Sequence, residues 1–222
     1  VTRGLPGPLA HLLGRGGALG ASALLPEQRL MIERNLKRVY GQDLGGLALR
    51  RAVQRCLEHY ARYWVESFRL PGTSPEVLDA GMSFDGIHHI ENAVDRGIGP
   101  ILALPHLGGW EWGGFWLAST YRHRMTVVVE PLEPPELFEW FVALRESFGM
   151  NVVPLGHGAG TAVANAIQAA DIVCLVCDRD LNGNGVEVEF FGERTTLPAG
   201  PATLALRTGA PLLTTFYSPA IV

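Results

Sequence analysis

His106 and Glu111 stand five residues apart in Leu104-Pro105-His106-Leu107-Gly108-Gly109-Trp110-Glu111. A histidine with a carboxylate beside it suits proton abstraction. The carboxylate accepts from one ring nitrogen and fixes the tautomer, and the other nitrogen takes a proton from a substrate hydroxyl. On one continuous helix a five-residue step turns through about 140°, so the two side chains diverge. They meet only if His106 lies in a loop and Glu111 in the first turn of the following helix, an entry that Gly108-Gly109 permits. The spacing by itself is common. Its weight comes from the setting, because residues 100–104 form an apolar run that reads as a buried strand, and strand ends in α/β sheets are where ligands sit.

Other groups fall at similar places. Asp178 follows the apolar run 172–177 and Glu130 follows the run 125–129, so both are strand-end carboxylates. Trp110, Trp112, Phe115 and Trp116 crowd the segment after His106. They wall an apolar slot or, as is usual for aromatics at helical spacing, fill the core.

Several other chemistries lack their parts. There is no Gly-x-Ser-x-Gly elbow for a serine hydrolase. His88 and His89 are adjacent on a helical stretch and point apart, so they make no metal pair, and no metal-ligand set is expected. Cys174 and Cys177 form a CxxC inside an apolar strand, where residues three apart face opposite sides. A redox CxxC wants a helix start and a zinc site a second pair, so these cysteines read as structural. Gly156-His157-Gly158-Ala159-Gly160 lacks the Lys-Ser/Thr of a phosphate loop and reads as a turn.

The elements that must position these groups are legible from periodicity. Residues 27–40 and 47–69 repeat apolar side chains at helical spacing, and Pro71-Gly72 ends that section. Strands then fit at 82–85, 100–104, 125–129, 151–154, 172–177, 186–191 and 211–216, with helices at 86–96, 109–120, 134–148, 160–170 and 199–208. The alternation predicts an α/β fold: a mostly parallel central sheet flanked by helices, with an N-terminal helical section. Two parts are expected, a basic helical section over residues 1–70 and an α/β domain over residues 71–222.

Of the 222 residues, 18% are charged and 47% apolar. No apolar run reaches the about 18 to 20 residues needed to span a bilayer. Charge is uneven: residues 1–70 carry 11 Arg and Lys against 5 Asp and Glu, a balance of +6, and the remainder balances to −10. A basic helical end on an acidic body suits an anionic membrane surface, ordinary solvated helix faces being the alternative. Nucleic acid is not expected as a partner, since no interleaved aromatic-basic motif is present.

Three blocks carry a family resemblance: His106-Leu107-Gly108-Gly109-Trp110-Glu111; Asp178 through Gly192; and Pro198-Ala199-Gly200-Pro201-Ala202 followed by Leu204-Ala205 and Thr208-Gly209-Ala210. In this order they resemble the glycerolipid and lysophospholipid acyltransferases, in the branch of the lipid A acyltransferases and the actinobacterial phosphatidylinositol mannoside acyltransferases. The resemblance runs from about Pro26 to the end. It implies a peripheral enzyme at the cytoplasmic face of the membrane that moves a fatty acyl chain from acyl-CoA to a hydroxyl of a glycolipid. No cofactor is implied beyond that donor. His106 is then the base, Glu111 its carboxylate, and Asp178 either completes that network or holds the acceptor.

Arg145 falls in a block similar to the branch's second motif, where it pairs with Glu130 or binds a donor phosphate. Gly108, Trp110, Glu130, Arg145 and Arg179 are the expected substrate contacts. The alternatives are a lipid A-type enzyme using acyl carrier protein, or a non-catalytic lipid-binding protein on the same fold. Glu111 stands where Asp is commoner, and Asp178 stands where the mannoside enzymes carry Glu. The resemblance further implies that the α/β part continues past Val222.

Overall fold

The computed structural model describes residues 25–120 and 123–215. The described residues divide into two compact units, residues 25–73 with 191–193, and residues 74–120 and 123–190 with 194–215. The described part of the first unit holds α1 (Pro26–Tyr40) and α2 (Gly46–Arg69), followed by a short 3-10 turn at Leu70–Gly72. Val53 and Leu57 are buried between the two helices against Ile32, Leu36, Leu49 and Ala61. Arg38 in α1 pairs with Glu193 at 2.8 Å. Trp64, Val65 and Phe68 on the apolar face of α2 are only partly covered, and Tyr60 is 61% exposed. Residues 1–24 of the expected basic section lie outside the described residues.

The second unit contains α3 (Pro75–Ala80), α4 (Ile87–Asp95), β1 (Ile101–Leu104), α5 (Trp110–Thr120), β2 (Met125–Val129), α6 (Pro135–Ser147), β3 (Met150–Pro154), α7 (Ala159–Gln168) and β4 (Ile172–Val176). It continues through β5 (Val186–Phe190), β6 (Glu193–Leu197, of which Glu193 counts with the first unit), α8 (Gly200–Thr208) and β7 (Leu212–Thr214). Five strands form one sheet in the order β3-β2-β4-β1-β7, every pairing parallel. The strands read as continuous apolar runs because both faces are covered. Ile172, Val173 and Ile101 are fully buried, and each such side chain stabilises the fold by about 1.5–3 kcal/mol.

The topology decides where a site can form. From β1 the chain steps through β2 to β3, then returns through β4 to β7 on the far side of β1. Right-handed crossovers running in opposite directions put α5 and α6 on one face of the sheet and α7 and α8 on the other. In keeping with this, Val163, Ala166 and Ile167 of α7 share a core with Leu204 and Ala205 of α8, Ile101, Val173 and Leu175. The connections therefore diverge between neighbouring strands β1 and β4. That switch point opens a crevice at their carboxyl ends.

Several expectations need correction. Residues 82–85 are not a strand: the segment is irregular, and Phe84 packs on Trp116 with ring centroids 4.9 Å apart. The strand near 186–191 does not join the main sheet. It pairs with β6, which has no apolar pattern, in a separate two-stranded ribbon. The ribbon turns at Phe191-Gly192, both with positive φ (50° and 76°), which suits the right-handed twist of a tight hairpin. Helix α3 was also missed. Of the strand expected at 211–216, residue 216 lies outside the described residues.

Candidate active site

Strands β1 and β4 pair from Ile101↔Val173 to Leu104↔Val176. Beyond the last pair the Cys177 amide still donates to the Leu104 carbonyl at 2.9 Å. His106 and Asp178 follow at the next step, side by side above the carboxyl ends of the two strands. The His106 amide donates to Asp178 Oδ2 at 3.0 Å, and His106 Nδ1 lies 2.8 Å from Asp178 Oδ1. One carboxylate thus holds both the backbone and the ring of the histidine.

Burial alone would raise the Asp178 carboxyl. The bonds from the His106 ring and amide, with the imidazole's charge, outweigh it and hold Asp178 below the usual carboxylate range. Asp178 is therefore an anion at neutral pH, and the shared proton belongs on Nδ1. Nε2 is left as the acceptor. Both side chains remain accessible, His106 41% and Asp178 36% exposed, so a substrate can reach that nitrogen. The Trp110 ring stands edge-on to the imidazole, with centroids 5.5 Å apart.

The expected His106–Glu111 bond is not made. Glu111 opens α5 and is buried, and it pairs instead with Arg145 Nη2 at 2.5 Å. Arg145, also buried, comes from the end of α6 and bonds the Phe141 carbonyl, with its guanidinium 5.2 Å from the Phe141 ring. The buried Glu111–Arg145 pair therefore ties the start of α5 to the end of α6. Neither Arg145 nor Glu111 reaches the ring that Asp178 holds, and the expected Arg145–Glu130 pair is replaced by Arg145–Glu111. Gly108, between His106 and α5, has φ 65°, a left-handed value that an L side chain adopts at a cost.

Glu130 follows β2, and its carboxylate lies 3.8 Å from the Arg179 guanidinium, both groups well exposed. These two expected substrate contacts thus sit together on the same edge of the sheet. Trp112 and Trp116 do not flank the histidine. Their indole N–H groups bond Leu78 and Asp79 of α3 at 3.3 and 2.9 Å, and Trp116 is buried. They fasten α5 to α3, so of the expected aromatic wall only Trp110 borders His106. Asp180, two residues past Asp178, is a hub of the loop geometry that spacing does not single out.

Among the described residues, no group of three or more His, Cys, Asp or Glu side chains is placed to hold a metal ion. Cys174 is buried in β4, its thiol pushed up to about 12 by desolvation. The Cys177 thiol is raised as well, first by burial and then by the Asp178 charge.

A parallel α/β sheet with a histidine–aspartate couple at its switch point is suited to removing a proton from a hydroxyl. Residues 1–218 match the family model of the bacterial lipid A biosynthesis acyltransferases, and the chain belongs to that family. It is 39% identical over 216 residues to a phosphatidylinositol mannoside acyltransferase of Mycolicibacterium smegmatis, covering 96% of this chain and 69% of the relative. It is 40% identical over 196 residues to the phosphatidylinositol mannoside acyltransferase of Mycobacterium tuberculosis, covering 86% of this chain and 60% of the relative.

Proposed function

We propose that the chain transfers a fatty acyl group from acyl-CoA to a hydroxyl of a phosphatidylinositol mannoside-like glycolipid, working peripherally at the cytoplasmic face of the membrane. The observation that carries this reading is the two-point grip of Asp178 on His106. His106 Nε2 takes the proton of the acceptor hydroxyl as its oxygen attacks the thioester carbon. The tetrahedral intermediate collapses to the ester, the C–S bond breaks, and the proton leaves with the CoA thiol. The amides that open α5, which a helix's own ladder does not use, provide donors for the oxyanion. A thioester is already activated, so a positioned base and such donors suffice.

The Glu111–Arg145 pair then serves geometry, holding the helix start in place. Glu130 and Arg179 are exposed at the same edge, where the acceptor's polar head would lie, and Trp110 would border the acyl chain. Two features support peripheral attachment. Residues 1–70 carry the +6 balance, and among the described residues no helix is long and apolar enough to cross a membrane. The relatives' names favour a mannosylated phosphoinositide acceptor over lipid A.

The test offers the full chain labelled palmitoyl-CoA and, separately, palmitoyl-acyl carrier protein. Each donor is paired with a phosphatidylinositol mannoside or a lipid A precursor. Label should enter the mannoside from CoA. Label entering only lipid A from the carrier protein overturns the choice of donor and acceptor, and binding of lipid without transfer in any arm overturns the enzyme reading.

A further inference from the structure

We propose that Asp180 is a positioning residue for the His106–Asp178 couple, an inference that rests on the acyl-transfer reading. The segment Asp178-Arg179-Asp180 is clamped at both ends. Upstream, the Cys177 amide bonds Leu104 and Asp178 receives the His106 amide. Downstream, Asp180 Oδ1 accepts from the Gly183 amide at 3.0 Å. Its Oδ2 accepts from the Gly185 amide at 2.9 Å and from the Thr196 hydroxyl at 2.7 Å.

Thr196 lies on β6, so this one carboxylate fastens the loop after β4 to the β5–β6 ribbon. The fastening is tight. A Cβ on Gly185 would lie 2.4 Å from the Leu197 carbonyl oxygen and 2.9 Å from Asp180 Oδ2, too close for any residue but glycine. The Thr196 hydroxyl and then the Gly185 amide keep the Asp180 carboxyl below its ordinary range. Every partner of Asp180 is a donor from its own loop or ribbon, so its part in the reaction runs through Asp178. With the downstream clamp gone, the Asp178 backbone is held on one side only. Its carboxylate then swings relative to the imidazole, and Arg179, between the two anchored aspartates, loses its set direction toward Glu130.

The test compares Asp180→Asn, Thr196→Val and Gly185→Ala in the full chain, with Arg194→Ala as control. The control breaks only the exposed Arg194–Glu187 pair of the same ribbon. In Asp180→Asn the new amide turns a donor toward donors that need an acceptor. Two readouts are taken: kcat and KM for acyl-CoA, and the NMR signal of the His106 Nδ1 proton.

In the three variants kcat should fall by about tenfold to a hundredfold, the loss that a displacement of roughly 1 Å causes. KM for the donor should stay within about twofold. The Nδ1 proton signal should shift or broaden in these variants and stay put in the Arg194→Ala control. Should Asp180→Asn fail to fold, Thr196→Val removes a single exposed hydroxyl and carries the test. Wild-type kcat in folded variants overturns the inference, and so does a fall in kcat with the proton signal unmoved. The signal is read without turnover. A shifted signal in a chain that transfers no acyl group therefore leaves the positioning role standing and removes the acyl-transfer reading instead.

Discussion

Asp178 lies 72 positions after His106, and the same offset relates every paired residue of β1 and β4. The two side chains meet because they continue a parallel ladder two residues past its last strand pair, Leu104↔Val176. Their contact thus follows from the pairing of β1 with β4 and not from the Gly108-Gly109 turn.

One consequence concerns Asp178→Asn. An amide presents a donor where the His106 amide and ring both need an acceptor, and it favours the wrong ring tautomer. Turnover should fall by on the order of 10³ to 10⁴ with the fold kept, as loss of an orienting carboxylate does elsewhere. Glu111→Gln, which leaves the couple intact, should cost far less. Steady-state rates of the two purified variants decide this, and equal losses would return Glu111 to the role of histidine partner.

The buried ion pair makes an energetic prediction. Arg145→Met strands the Glu111 carboxylate in the core without a counter-charge, which costs about 3–5 kcal/mol. Replacing both, Arg145→Met with Glu111→Leu, should recover most of that loss. Urea denaturation of the single and double variants measures it. An Arg145→Met chain within about 1 kcal/mol of wild type would mean the pair is solvated.

The pH dependence of stability follows from Asp178. Its folded-state carboxyl is held below its ordinary value, so the unfolded chain takes up its proton first as pH falls. The stability Asp178 contributes is present above the unfolded carboxylate value of about 3.9 and is lost as pH drops through the depressed folded value. The stability gap between wild type and Asp178→Asn should therefore be full at neutral pH and shrink in that acid window. A gap independent of pH contradicts an ionised Asp178 held by His106.

Thiol chemistry gives an independent check on the sheet. With its thiol pushed up to about 12, Cys174 holds almost no thiolate near neutral pH, and thiolate is the reactive form. In the native chain it should resist thiol reagents and label only on unfolding. Peptide mapping after a short pulse reads this, and rapid native labelling of Cys174 would show that β4 is not buried.

The charge balance of residues 1–70 bears on membrane attachment. Adsorption to anionic vesicles should weaken as salt shortens the screening length from about 30 Å at 0.01 M to about 8 Å at 0.15 M. Co-sedimentation with anionic and neutral vesicles at both strengths measures it. Equal binding to neutral vesicles would assign attachment to apolar contact.

The parallel sheet was legible in the sequence because strands covered on both faces read as unbroken apolar runs, as at residues 172–176. The partner of His106 was legible only in part: the family resemblance offered Asp178 as completing the network or holding the acceptor, while local spacing pointed to Glu111. A nearby Glu111 draws the eye, whereas Asp178 reaches the ring through strand order and register, which no local pattern records. Strand β6 escaped because Glu193-Arg194-Thr195-Thr196 is almost wholly exposed and carries no apolar alternation. Helix α3 did leave a signal: Ser74 caps it, with Pro75 at its first position, the ordinary signature of a helix start. Residues 82–85 look like a strand because Met82 and Phe84 alternate with polar neighbours, yet the segment pairs with no strand and Phe84 packs on Trp116 of α5.

The most direct test of the His106–Asp178 couple as the general base is the rate of acyl transfer from acyl-CoA by His106→Ala, with folding verified by an unchanged circular dichroism spectrum and melting profile. Loss of a positioned base lowers such a rate by about two to four orders of magnitude, and a fall of that size is the expected result. A folded His106→Ala chain that turns over at the wild-type rate would contradict it.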